Sequence, residues 1–181
     1  SRILGNWSVD TIVSARSAAP VNIIAGFNSL FGVFSVARPD LINGVPLYLD
    51  DPNAAGGRVI NPKAFALPPT GRQGTLGRNV VRGFPASQVD LALRRQFNLI
   101  EQLKLQFRVE VFNIFNHPNF GDPGAGEGFN GTNNLANTAQ FGRSIRMLGR
   151  SLGGGGVNGG LSPLYQVGGP RSMQVSLKLI F

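Results

Sequence analysis

Apolar and polar residues alternate along four stretches of this chain. Val89, Leu91, Leu93 and Phe97 fall on one face of the first of them, with Gln88, Asp90, Ala92, Arg94 and Gln96 on the other; Arg95 is the one charge on the apolar side. In the next, Leu103, Leu105, Phe107, Val109 and Val111 oppose Lys104, Gln106, Arg108 and Glu110. Near the end, Met173, Val175, Leu177, Leu179 and Phe181 oppose Ser172, Gln174, Ser176 and Lys178. Near the start, Trp7, Val9, Thr11, Val13 and Ala15 oppose Ser8, Asp10, Ser14 and Arg16, with Ile12 the exception. A period of two is the signature of a strand. The pattern predicts strands over 7–24, carried past a bend at Pro20, and over 88–97, 103–113 and 172–181. The break at 98–102 is short enough for a hairpin turn.

Between these runs the alternation fails. From 25 to 86, Arg38-Pro39-Asp40, Asn43-Gly44, Asp51-Pro52-Asn53, Gly56-Gly57, Asn61-Pro62 and Pro68-Pro69 are turn signals. From 114 to 169 a second such stretch holds Asn116-His117-Pro118-Asn119 and the Gly-rich tract 153–160. Both are expected to be long irregular loops, with Gln140–Ile145 adding a short strand at the rim.

The runs are roughly ten residues long, the length a tilted transmembrane strand needs, whereas ordinary strands have about five or six. The expected fold is therefore all-β: antiparallel strands of a transmembrane β-barrel. Lipid would meet Leu91, Leu93, Leu105, Phe107, Val109 and Val111. A polar ladder of Asp90, Arg94, Lys104, Arg108 and Glu110 would face the lumen. The connections run long, short, long, as in outer-membrane barrels with short periplasmic turns and long outer loops. Four strands cannot close a barrel, since about eight is the small limit. Together with a strand that begins almost at Ser1, this leads to the expectation of a C-terminal piece of a larger protein. Trp7 near a strand end reads either as part of an interfacial aromatic girdle or as an ordinary core residue.

Composition supports the membrane setting. Charged residues make up only 14% of the chain, against about 25% in a typical soluble domain. No apolar run reaches the roughly 18 residues of a transmembrane helix. The chain has no Cys, which removes disulfide, zinc-thiolate and Cys-nucleophile chemistry, and its one His, His117, removes any multi-histidine metal site. A net charge of +8 raises nucleic acid as a partner. The basic residues are nevertheless spread singly from Arg2 to Lys178, and no nucleic-acid-binding motif accompanies them. No nucleic-acid partner is expected.

Candidate chemistry is sparse. With the turn centred at Ile100, Asp90 would sit directly opposite Glu110, a carboxylate pair that invites a glycosidase reading. No second catalytic element surrounds the pair, and a lumenal charge ladder is the simpler account. His117 has no evident partner and reads as a loop residue. No Gly-x-x-x-x-Gly-Lys-Ser/Thr cradle occurs. No catalytic, cofactor-binding or metal-binding residue is assigned, and no enzyme is expected.

Four segments carry a resemblance to a known family. They are Leu76-Gly77-Arg78-Asn79 with Arg82-Gly83; the hairpin strand running through Phe112-Asn113-Ile114-Phe115-Asn116-His117-Pro118-Asn119-Phe120; Phe141-Gly142-Arg143; and Gly169-Pro170-Arg171 leading to Phe181. In these the chain resembles the C-terminal end of TonB-dependent outer-membrane receptors of the Oar-like group, which carry a carboxypeptidase-regulatory-like domain. The resemblance implies a plugged barrel of about 22 strands in a Gram-negative outer membrane. It implies TonB-driven transport of a bulky nutrient, through plug and TonB-contacting parts outside this chain. It also implies that Phe181, with Leu179, Leu177 and Val175, is the signal read by the barrel-assembly machinery. The partners so implied are outer-membrane lipid, the TonB complex, the assembly machinery and an unidentified ligand. Two other readings stay open: a soluble extracellular β-sandwich used for binding or adhesion, and a passive porin-like outer-membrane protein.

Overall fold

The computed structural model describes residues 5–30, 33–124, 133–135, 140–151 and 167–181, and four long strands in it form one antiparallel sheet. They are β1 (Trp7–Arg16), β2 (Ala86–Ile100), β3 (Leu103–Phe112) and β4 (Ser172–Ile180), in spatial order β1-β2-β3-β4. The fold is all-β, as the alternation predicts; the one α-helical element among the described residues is a single turn at Leu148–Ser151. Trp7 pairs with Arg95 and Lys104 with Ile180, so the start of β1, the β2–β3 turn and Phe181 lie at one end. Both long connections leave from the other end, at Arg16, Ala86, Phe112 and Ser172.

The boundaries differ from the sequence expectation at three places. β1 stops at Arg16 and does not run to 24. Pro20 makes only an isolated bridge to Arg82, and Ile23–Ile24 turn away to pair in parallel with Asn133–Asn134. Two consecutive apolar residues cannot serve one sheet face, and both are buried elsewhere. β3 ends at Phe112 because Asn113 takes φ 50, a left-handed conformation that leaves the strand. The β2–β3 turn is tighter than 98–102. It is Glu101–Gln102, neither of which has positive φ. The primed turns that suit a two-residue hairpin need φ > 0. Leu103 pairs with Ile100 and Lys104 with Asn98, which leaves Leu99 as the extra residue of a bulge. The register therefore sits two residues from the expected one: Glu110 faces Ala92, not Asp90. An even slip leaves every side chain on its predicted face.

Among the described residues the long connections carry short ordered pieces. Three short antiparallel ladders organise 25–86: Gly26–Leu30 with Val33–Ala37, Asp40–Leu41 with Phe65–Ala66, and Tyr48–Asp50 with Arg58–Ile60. They enclose a core of Ile23, Ile60, Ala64, Phe65, Leu76, Val81 and Phe141. Phe141 comes from the second connection, and its ring meets Phe65 edge-on at 6.1 Å. Gln140–Ile145 forms no strand; instead Gly142 accepts from the Ile60 amide at 3.0 Å and donates to Asn133 Oδ1 at 2.9 Å. Arg143 Nη2 reaches Asp51 Oδ2 at 2.9 Å, a second tie between the two connections. The described parts of the two loops thus pack together, beyond the end of the sheet from which they leave. The Gly-rich tract 153–160 lies outside the described residues.

Gly142 has φ +71, and an added Cβ would overlap the Ile60 carbonyl. Gly142→Ala is expected to cost about 1–2 kcal/mol from the left-handed backbone alone, more with the overlap, and to raise amide exchange at Ile60; unchanged exchange there would show the layer to be pliable.

Asp40 gives this layer a pH dependence. Arg72 grips its carboxylate with bonds of 2.8 and 2.7 Å, and the Thr75 amide adds one of 3.0 Å. The Arg72 bond is the main reason the Asp40 carboxyl sits below its ordinary pKa. A lowered folded-state pKa stabilises fully above the ordinary carboxylate range, and the contribution is lost as pH falls through the lowered value. Protection of the Leu41 and Thr75 amides, corrected for intrinsic exchange, should hold above the ordinary carboxylate range and fall as the pH drops below it. Constant protection across that window would mean the pair does not hold the loop.

Candidate functional site

The sheet presents its side chains in rows. On one face five rows follow from the register: Val13–Val89; Thr11–Leu91–Val111–Met173; Val9–Leu93–Val109–Val175; Trp7–Arg95–Phe107–Leu177; and Phe97–Leu105–Leu179. All six residues expected to meet lipid, Leu91, Leu93, Leu105, Phe107, Val109 and Val111, lie in these rows. On β4 the pattern of exposure is the reverse of a soluble sheet's, whereas these six residues of β2 and β3 are half-buried. Along β4, Met173, Val175, Leu177 and Leu179 are 69, 55, 68 and 55% exposed, whereas Ser172, Gln174 and Ser176 are only partly exposed. Val9 and Val13 at the other edge are exposed as well. A soluble antiparallel sheet covers its apolar face with a core. No second sheet covers this one among the described residues, which removes the observation a β-sandwich needs.

The opposite face carries the charges. Asp10 and Glu110 share one row with Ala92 and Gln174; Arg94 and Arg108 share the next with Ser8 and Ser176. Arg94 and Arg108 stand directly opposite each other, an arrangement that costs free energy when uncompensated. Compensation comes from the neighbouring row: Arg108 Nη2 lies 2.7 Å from Glu110 Oε1, and Arg94 Nη2 lies 3.6 Å from Asp10 Oδ2. Lys104 pairs with Asn98 nearer the turn. The predicted ladder is thus one polar face, but its members connect differently. Asp90 bonds neither Glu110 nor Arg108. Its Oδ1 accepts from Gln88 Nε2 and from the Asn113 amide, both at 2.8 Å. This capping role, and the register, remove the facing carboxylate pair.

Asn113 and its neighbours form the most densely bonded cluster near the sheet. Asn113 is buried, with Nδ2 donating to the carbonyls of His117 (2.9 Å) and Gly169 (2.8 Å) and Oδ1 accepting from the His117 amide (2.9 Å). Asn116, also at φ 50, accepts from the Arg171 amide at 3.1 Å. Asn119 forms a two-way bridge with the Ser87 backbone, at 2.9 and 3.0 Å, as a strand neighbour would. Gln88 Oε1 accepts from the Gly168 amide at 2.7 Å. These Asn residues suit the positions because they tolerate left-handed backbone and bond nearby main chain. His117 contributes mainly its backbone to this cluster, and its ring is exposed. Sequence placed Gln88 on the polar face and Asn113 and Asn119 in the run that resembles the family, but gave none of them a bonding role. For Asn113 and Asn119 the signal was the density of Asn just past the end of β3.

Within the loop layer a cleft of about 210 Å³ opens between Pro20–Ile23, Arg38 and Leu76–Val81. Among the described residues no three His, Asp or Glu side chains converge as metal ligands.

Phe97 and Trp7, two aromatic residues of the apolar face, hold Arg95 between them. Its guanidinium carbon lies 5.0 Å from the Trp7 ring centre and 4.5 Å from that of Phe97. Trp7 is therefore neither a core residue nor isolated; it sits in the apolar face at the short-turn end.

Comparison with protein-family models matches residues 1–151 to the outer membrane beta barrel domain. The match takes in β1, β2, β3 and most of the loop layer; β4 lies beyond it. Comparison with curated proteins and with solved structures returns no significant match. With the family match covering most of the chain, and a sheet whose apolar side chains point outward, the chain belongs to the outer membrane beta barrel domain family and is part of an outer-membrane β-barrel protein.

Proposed function

We propose that the sheet is wall from the C-terminal part of a TonB-dependent receptor of the Oar-like group, which takes up a bulky nutrient. The observation that carries the membrane part of this reading is the outward apolar face. Successive rows lie about 5 Å apart in height for strands tilted by 35–45°, so five rows cover roughly 20–25 Å, the height of the apolar band of such barrels. Leu91, Leu93, Leu105, Phe107, Val109 and Val111 then meet lipid, and Asp90, Arg94, Lys104, Arg108 and Glu110 face the lumen. The short turn points to the periplasm and the loop layer to the outside, where its cleft is placed to meet incoming solute. Four strands are too few to close a wall, so the remaining strands, the plug and the TonB-contacting segment belong to other parts of the assembly. The receptor part rests on the four segments that resemble the family, together with the way they meet: Gln88, Asn113 and Asn116 knit the hairpin to the segment 167–171. Val175, Leu177, Leu179 and Phe181 serve as the assembly signal. No catalytic or cofactor role is assigned.

The test is ion conductance of the full-length protein in planar bilayers with potassium chloride as the probe. A plugged receptor passes no steady current and binds the isolated periplasmic domain of TonB. A steady current without TonB binding would replace this reading with the passive porin-like one.

A further inference from the structure

The cleft between Pro20–Ile23, Arg38 and Leu76–Val81 is lined by two arginines, Arg38 and Arg78, and by no acidic residue. Arg38 is half-buried and fixed. Its Nη1 donates to the Leu76 carbonyl at 3.1 Å, its amide donates to Gln73 Oε1 at 2.7 Å, and its carbonyl accepts from the Gly74 amide at 3.0 Å. One guanidinium nitrogen is thereby engaged, and Nε and Nη2 have no acceptor among the described residues. Asp40, two residues along, is held by Arg72 instead. Arg78 is exposed, and its guanidinium has no hydrogen bond or ion pair among the described residues. Gly77, Arg78 and Asn79 also bring backbone to the cleft, and Asn79 is left-handed at φ 59. The amides of these three residues have no acceptor among the described residues. Successive N–H groups around a left-handed turn residue form a concavity for an anion.

Two cations and three spare amides set the charge of the ligand. Val21, Ile23, Leu76 and Val81 make the rest of the lining apolar. A carboxylate suits this mixture. It carries a single charge, so it costs less to desolvate than a phosphate dianion, and its two oxygens match the planar fork of a guanidinium. The cleft, at about 210 Å³, is smaller than the roughly 300–1,000 Å³ of a site that encloses a drug-sized ligand, so it takes one end of a solute. We propose that this cleft receives a carboxylate of the incoming solute, with Arg38 and Arg78 as its counter-charges. The inference rests on the receptor reading above. It goes beyond it in naming the site and the chemical class of the nutrient, an organic acid anion. It also gives the segment Leu76-Gly77-Arg78-Asn79 a task.

The test uses the full-length protein in detergent, with acetate as the probe and saturation transfer to its methyl protons as the readout. Acetate should bind, and acetamide, its neutral counterpart of similar shape, should not. R78Q removes a side chain that holds nothing else among the described residues. It should weaken acetate about tenfold, the loss expected for a charge-assisted bond. K63Q removes the same charge from an exposed position of the same connection outside the cleft, and should leave binding unchanged. No acetate binding, equal binding of acetamide, wild-type affinity in R78Q, or equal loss in K63Q would each overturn the site. Conductance and TonB binding, measured on the same protein, separate the two readings. If TonB binds, no steady current flows and acetate fails to bind, the site alone is overturned. If a steady current flows without TonB binding, the receptor reading falls, and acetate binding that R78Q weakens still upholds the site, at the mouth of a passive channel.

Discussion

Val109→Arg lowers the stability of the full-length protein by about 2–4 kcal/mol in lipid vesicles, and Gln106→Arg leaves it nearly unchanged. Val109 belongs to the central row, Val9–Leu93–Val109–Val175, with two rows on either side. An arginine there would put its charge near the middle of the hydrocarbon, too deep for easy snorkelling to either interface. Gln106 lies on the other face, in the row with Gln96 and Lys178. A new cation there meets a face that already carries Arg94, Arg108 and Lys104. Phe107→Arg should fall between the two, because Phe107 shares the row that already accommodates Arg95. Urea unfolding of vesicle-inserted protein measures all three. Equal costs at 106 and 109 would mean that the faces are not lipid and lumen.

Asn113→Ala is expected to cost about 4 kcal/mol locally, from three side-chain hydrogen bonds at about 1 kcal/mol each and about 1 kcal/mol from a left-handed backbone that alanine resists. The three bonds join the end of β3 to His117 and Gly169, 56 residues away in the chain. Gly169 leads directly into β4, so losing the tie frees the entry to that strand. Asn113→Gly keeps the backbone conformation and isolates the hydrogen bonds; it should recover about 1 kcal/mol of the loss. Amide exchange over 113–119 and 167–172 reads the effect. Wild-type protection in both variants would show that the cluster is incidental to docking β4.

The period of two made the sheet legible before any coordinates. Each residue of β2, β3 and β4 placed on a face by alternation lies on that face, because the pleat allows nothing else once the strands pair. Register was not legible. It depends on the turn Glu101–Gln102 and the bulge at Leu99, and neither residue type announces that geometry as Asn-Gly would. The packing within the loops was not legible for a related reason. Turn residues mark where a chain reverses, and 25–86 reverses often. The packing of Ile23, Phe65, Leu76 and Phe141 around one centre is a long-range fact with no local period.

Sequence by itself determined the fold class, the four runs, their faces and the long-short-long order of connections, since each follows from local alternation and turn chemistry. Only the tertiary structure decided what the polar groups do. Asp90 caps Asn113 instead of facing Glu110, Asn119 completes the backbone of Ser87, and Arg95 lies between Trp7 and Phe97. Hydrogen bonds and ring contacts join residues far apart in the chain. Their partners are set by a register and by loop packing that emerge only when all the strands are in place.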